Sequence, residues 1–141
     1  MSGIRRFINR IKCRDADTHS LIIAVRSGNL AKVKRLMLDC GVEPIDPEFM
    51  LLEAASRGHV DIVRFFLEYG VDPNVQDNDG WTPLHRALWF CNVDAARVPL
   101  DHGAGLTIRD NEGRTPLTLL LLATVLSTLS TAVIARNSLR S

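Results

Sequence analysis

Histidine, cysteine and clustered glycine are the residues of this 141-residue chain whose types most often carry metal binding, nucleophilic attack or phosphate recognition. Their spacing argues against each. Cys13, Cys40 and Cys91 are odd in number, far apart and in no Cys-x-x-Cys pair. Neither a disulfide framework nor a zinc site is therefore expected, and a reducing compartment fits. No His-Glu-x-x-His pattern exists; His59 sits directly after Gly58, and His102 closes a helix where positive charge complements the C-terminal dipole. Gly103-Ala104-Gly105 begins like a phosphate loop, but Ile108 stands where the third glycine belongs and no βαβ pattern surrounds it. The expectation is a chain with no catalytic residue, no cofactor and no metal site, hence not an enzyme.

What positions these residues is an internal repeat of period 33. Asp77-Asn78-Asp79-Gly80-Trp81-Thr82-Pro83-Leu84 recurs as Asp110-Asn111-Glu112-Gly113-Arg114-Thr115-Pro116-Leu117, and Leu67 and Gly70 map onto Leu100 and Gly103. An earlier copy runs from Leu51 to Gly70, and a looser one from Leu21 to Gly41 with one extra residue in its second helix. Each copy carries start and stop signals for two short helices. Thr82 and Thr115 are N-caps whose hydroxyls accept from free first-turn amides, and Pro83 and Pro116 follow where a missing N–H costs nothing. The first helix stops near Gly28, Gly58 or Cys91; the second shows Val60, Ile62, Val63, Phe66 and Leu67 on its apolar side and ends at Gly70. Asp77 to Gly80 makes a tight turn.

These residues resemble the ankyrin repeat, whose pattern Asp-x-x-Gly-x-Thr-Pro-Leu-His-x-Ala is matched at Asp77, Gly80, Thr82, Pro83, Leu84, His85 and Ala87. The resemblance implies an all-α helical-repeat solenoid of about four stacked helix-turn-helix copies with short hairpin turns. It covers residues 19–124, in copies at about 19–44, 47–74, 77–107 and 110–124, with a basic N-terminal cap at 1–18 and an apolar helix and tail at 125–141. It implies a structural, hydrogen-bonding role for His85 and a protein-binding role for the whole, as adaptor or inhibitor. Hairpin tips and inner helices make most contacts in similar proteins. By position these hold Arg57, Asn78, Asp79, Trp81, Arg86, Trp89, Phe90, Asn111, Glu112 and Arg114. Trp81, Trp89 and Phe90 stand out, since aromatic and arginine side chains supply most interface hot spots. Packing against neighbouring copies is the alternative use for Trp89 and Phe90.

Three departures from the repeat carry expectations. Gly41 to Leu51 spans ten positions where Gly70 to Leu84 spans fourteen, which predicts a truncated hairpin between copies one and two. Pro99 stands where the shift of 33 places Phe66, and a proline there denies a hydrogen bond to the Ala95 carbonyl, predicting a kinked, weakened third copy. The fourth copy has Thr124 in place of the mid-copy glycine, and its second helix carries no charge.

Charge is unevenly spread although its net is +1. Residues 1–40 balance at +6, residues 41–113 at −8, and residues 114–141 carry three arginines and no acid. The basic head lacks interleaved aromatics and the body is acidic, so no nucleic acid is expected as a partner. Ile4, Phe7, Ile8 and Ile11 among Arg5, Arg6, Arg10, Lys12 and Arg14 describe a basic amphipathic helix, placed to cover the first copy or to meet an anionic membrane. No secretory h-region is visible. Thr115 to Ala135 holds 21 uncharged residues between Arg114 and Arg136, enough to cross a bilayer. Two uses are open: a packed terminal helix on the stripe Leu119, Leu122, Leu126, Leu129 and Val133, or a tail anchor making this a membrane-tethered adaptor. The expectation is a monomeric, cytoplasmic protein, with nuclear or membrane-tethered placement as alternatives, that binds an unidentified protein partner.

Overall fold

The computed structural model describes residues 3–6 and 13–140. Residues 3–6 are helical, while Phe7, Ile8 and Ile11 of the expected amphipathic helix lie outside the described residues. The remainder is helical throughout its regular elements.

Copy one pairs α1 (Thr18–Ser27) with α2 (Leu30–Lys34), which continues as a π-helix over Arg35–Asp39. Copy two pairs α3 (Pro47–Arg57) with α4 (Val60–Tyr69), and copy three pairs α5 (Pro83–Trp89) with α6 (Val93–Asp101). A long α7 (Pro116–Arg140) follows. Start signals act as their chemistry dictates. Asp17 accepts from the Ser20 amide at 2.7 Å, Asp46 from the Phe49 amide at 2.8 Å, and Pro47, Pro83 and Pro116 open their helices. The extra residue of copy one is absorbed in the π segment, where the Cys40 amide reaches the Arg35 carbonyl five residues back at 3.0 Å.

The first helices of the copies, α1, α3, α5 and α7, stack on one another as an inner row, and α2, α4 and α6 form an outer row behind them. The core lies between the rows. Leu21, Leu51, Leu84, Ile62, Val63 and Phe66 are fully or almost fully buried there. Stacking is keyed by polar side chains that reach one copy back. His59 Nε2–H donates to the Arg26 carbonyl at 3.0 Å, and Asn92, 33 residues later, donates to the Ser56 carbonyl at 2.9 Å. Each such side chain occupies the space that a β-carbon on the preceding copy's glycine would need: one on Gly28 would lie 2.7 Å from the His59 ring, one on Gly58 2.9 Å from Asn92. Those glycines also have φ of +75°, so two constraints select the same residue. Cys91 holds the third such position at φ +59°.

The short connection predicted between copies one and two is seen: residues 41–46 form no hydrogen-bonded turn, unlike the later hairpins. At Pro99, α6 continues to Asp101 with the proline inside the helix and buried. Its ring lies within the last turn, where the Pro99 carbonyl still accepts from the His102 and Ala104 amides at 3.1 and 2.9 Å.

Two expectations are corrected. Cys13 and Cys40 are joined in a disulfide, their Cα atoms 5.4 Å apart, while Cys91 is free and exposed. The linear separation of 27 hid a pair that folding of copy one brings together, and the bond removes the basis for inferring a reducing compartment. The second correction concerns the terminal stripe. Of its five residues only Leu119 is buried; Leu122, Leu126, Leu129 and Val133 are exposed. No turn breaks α7 at Thr124, so no outer helix forms for copy four. The reason is length. Beneath α7 lies α5, seven residues or about 10 Å at 1.5 Å per residue, whereas α7 has 25 residues and reaches about 37 Å. Past the first two turns the described side chains of α7 are exposed, with none of the other described helices covering them.

Candidate partner-binding surface

Two hairpins separate the later copies, and each is organised by one aspartate. The Asp77 carboxylate accepts from the Asp79 and Trp81 amides, both at 2.9 Å, while the Asp77 amide donates to the Trp81 carbonyl at 3.0 Å. Asp110 repeats this with the Glu112 and Arg114 amides at 2.9 and 2.8 Å. Each aspartate also holds an arginine: Arg86 Nε donates to Asp77 at 3.0 Å, and Arg114 Nε to Asp110 at 2.9 Å. Burial tends to raise the Asp110 carboxyl, but the Arg114 amide and guanidinium and the Glu112 amide outweigh it and hold the group below the ordinary carboxylate range. The tips are tied together, Asn111 donating through its amide to the Asp79 carbonyl at 3.0 Å and through Nδ2 to the Asn78 carbonyl at 2.7 Å.

Beneath the tips, His85 joins copies three and four. Its Nδ1 accepts from the Thr82 amide at 3.2 Å and its Nε2–H donates to the Arg114 carbonyl at 2.9 Å, while its own amide donates to the Thr82 hydroxyl at 3.3 Å. The residue is a neutral structural imidazole, its pKa lowered chiefly by burial.

The ten residues singled out in sequence do not form one patch. Trp81, Arg86 and Trp89 gather: the indoles meet edge to face at 5.9 Å, and the Arg86 guanidinium lies 5.6 Å from the Trp81 ring centroid while bound to Asp77. Both indoles remain partly exposed. Phe90, at the end of α5, is exposed and outside that ring cluster. Asn78, Asp79, Asn111 and Glu112 line the exposed tips, and Arg114 is half-buried between Asp110 and Glu112. Arg57 lies farther along the inner row, on α3. There Glu53 Oε1 sits 3.1 Å from Arg57 and 3.3 Å from Arg26 of α1, leaving a net positive trio.

Arg26 and Glu53 were missed by the sequence reading. Glu53 is 33 residues before Arg86, so extending the alignment from α5 to α3 would have found it. Among the described residues no group of three or more His, Cys, Asp or Glu side chains is arranged to hold a metal ion. What the surface offers is recognition chemistry: two indole edges, a guanidinium held rigid by a carboxylate, and amides at two linked tips.

Stacked helix pairs with hairpins at one edge define a helical-repeat solenoid, a class whose members work through extended surfaces. A family profile described as ankyrin repeats in three copies matches residues 21–110, and the chain belongs to the ankyrin-repeat family. It is 43% identical over 68 residues to an ankyrin repeat protein of Pyrobaculum aerophilum, covering 48% of this chain and 26% of that protein. It is 44% identical over 34 residues to protein phosphatase 1 regulatory subunit 12A of Mus musculus, covering 24% of this chain and 3% of that one. With the NF-kappa-B inhibitor cactus of Drosophila yakuba it shares 40% over 59 residues, 41% of this chain and 12% of the inhibitor. The chain thus spans from 3% to 26% of the length of these relatives. Ankyrin repeats generally mediate protein–protein interaction.

Proposed function

We propose that this chain is a non-enzymatic adaptor or inhibitor that holds a partner protein against its hairpin tips and inner-helix face, with Trp81, Arg86 and Trp89 at the centre. The observation that carries this reading is the partly exposed indole pair: Trp89 stands on α5, and Trp81, in the hairpin before it, lies against the guanidinium that Arg86 holds on Asp77. Large aromatics held rigid at a surface lose little side-chain freedom on binding, which is why such residues dominate interface energies. The names of two relatives, a regulatory subunit and an inhibitor, describe proteins that act by binding others. The test compares proteins retained from an extract by the full chain with those retained by a Trp81→Ala/Trp89→Ala variant of unchanged helix content. Loss of a specific set supports the reading; identical retention refutes it.

A second reading is favoured by α7. From Pro116 to Val133 its mean hydropathy is 1.8, and only 11% of that stretch is buried. A long, largely apolar stretch of helix that carries no charge on any side and is left uncovered is suited to lipid. On this reading the repeats present the same binding surface from a membrane, through α7 as anchor. Alkaline-carbonate fractionation of the full chain tests it: pelleting that Leu129→Arg abolishes supports an anchor, and a soluble full chain refutes one.

A further inference from the structure

We propose that α7 can cross a bilayer only by leaving α5, so that anchoring and the docked fourth copy exclude each other; this rests on the membrane reading above. The repeat offset of 33 sets Pro116 to Ala123 beside Pro83 to Phe90, and α7 buries Pro116 and Leu119 on that side, with Leu120 and Ala123 partly covered. At this level α5 carries Arg86 and His85. A hydrocarbon core cannot begin alongside them without burying an arginine and its aspartate in lipid. What the docked helix leaves free is Thr124 to Ala135, about 12 residues or about 18 Å before Arg136, against a core of about 30 Å. The whole uncharged run from Thr115, about 31 Å long, matches the core, but only if the Leu119 contact is given up.

Several observations point to lipid as the occupant of the exposed helix. Leu117, Leu121 and Val125 are exposed along one side and Leu122, Leu126, Leu129 and Val133 along another, so a protein covering one side would leave the other in water. The hydroxyls of Thr124, Thr128 and Thr131 donate to the Leu121, Thr124 and Ser127 carbonyls at 2.9, 2.8 and 3.0 Å, so each is satisfied within the helix and asks nothing of its surroundings. Arg114 and Arg136 bracket the run at the distance of the two interfaces. Undocking breaks the His85 to Arg114 bond and uncovers one side of α5, the helix that carries Trp89 and Arg86. Membrane attachment and the state of the partner surface are thereby coupled.

The test is hydrogen exchange of the full chain with and without vesicles of phosphatidylcholine and phosphatidylglycerol, alongside co-sedimentation. On binding, amides of residues 83–90 should lose protection while those of α7 stay protected. Leu119→Ala, which weakens docking, should raise the vesicle-bound fraction at limiting lipid by about tenfold or more. Leu129→Arg, at an exposed position, should keep the helix content and abolish binding. Vesicle binding with α5 protection unchanged, or weakened binding by Leu119→Ala, overturns the exclusion while leaving the anchor reading intact. Failure of the full chain to sediment with vesicles refutes the anchor and the exclusion with it.

Discussion

Breaking the Cys13–Cys40 bond should remove much of the stability of copy one. The bond closes a loop of about 28 residues that holds the whole of α1, α2 and the π segment. In the chain-entropy account, a cross-link over that length removes about 12 cal/mol/K from the unfolded ensemble, or about 3.5 kcal/mol at 25 °C. Among the described residues copy one packs on copy two alone, to which it is joined by the shortened connection, so this loss should fall on residues 18–40 before it reaches the stack. The assay is urea unfolding followed by circular dichroism in a Cys91→Ser background, which keeps the third thiol from exchanging with the bond. With a urea slope of about 2 kcal/mol per molar, reductant should lower the midpoint by about 1.8 M, or split off an early transition in which α1 and α2 exchange first. Cys40→Ser should behave like the reduced protein whether or not reductant is present. Coincident curves for the oxidised and reduced protein would refute the reasoning.

Three further outcomes follow from other contacts. Cys91→Gly should raise the thermal midpoint, because a side chain at φ +59° costs about 1 kcal/mol that glycine avoids; a lower midpoint would show that the thiol packs better than its exposure indicates. His85 binds a proton less readily when folded than at its ordinary value of 6.5. Its contribution is therefore complete above that value and is lost as pH falls below it, so urea midpoints should drop between pH 7.5 and 5.5 and drop less in His85→Gln; equal slopes would rule His85 out as the cause. Pro99→Leu should raise the melting temperature by several degrees, since it restores a donor to the Ala95 carbonyl, worth up to about 3 kcal/mol; an unchanged value would show that the last turn of α6 tolerates proline freely.

The repeat, its caps and its turns were legible in the sequence because their causes are local. Thr82 caps α5, Pro83 opens it and Asp77 closes its hairpin through atoms within a few residues of one another, so composition at fixed offsets suffices. The extra residue of copy one was countable too, though not its accommodation as a π turn. Tertiary structure decided what depends on distance between copies. Glu53 meets Arg26 because stacking sets α3 on α1, and Cys40 meets Cys13 because α1 and α2 fold back on themselves. It decided the fate of α7 as well. The apolar stripe was visible, but whether it is covered depends on how far its neighbour extends, and α5 ends after seven residues, leaving most of that stripe exposed.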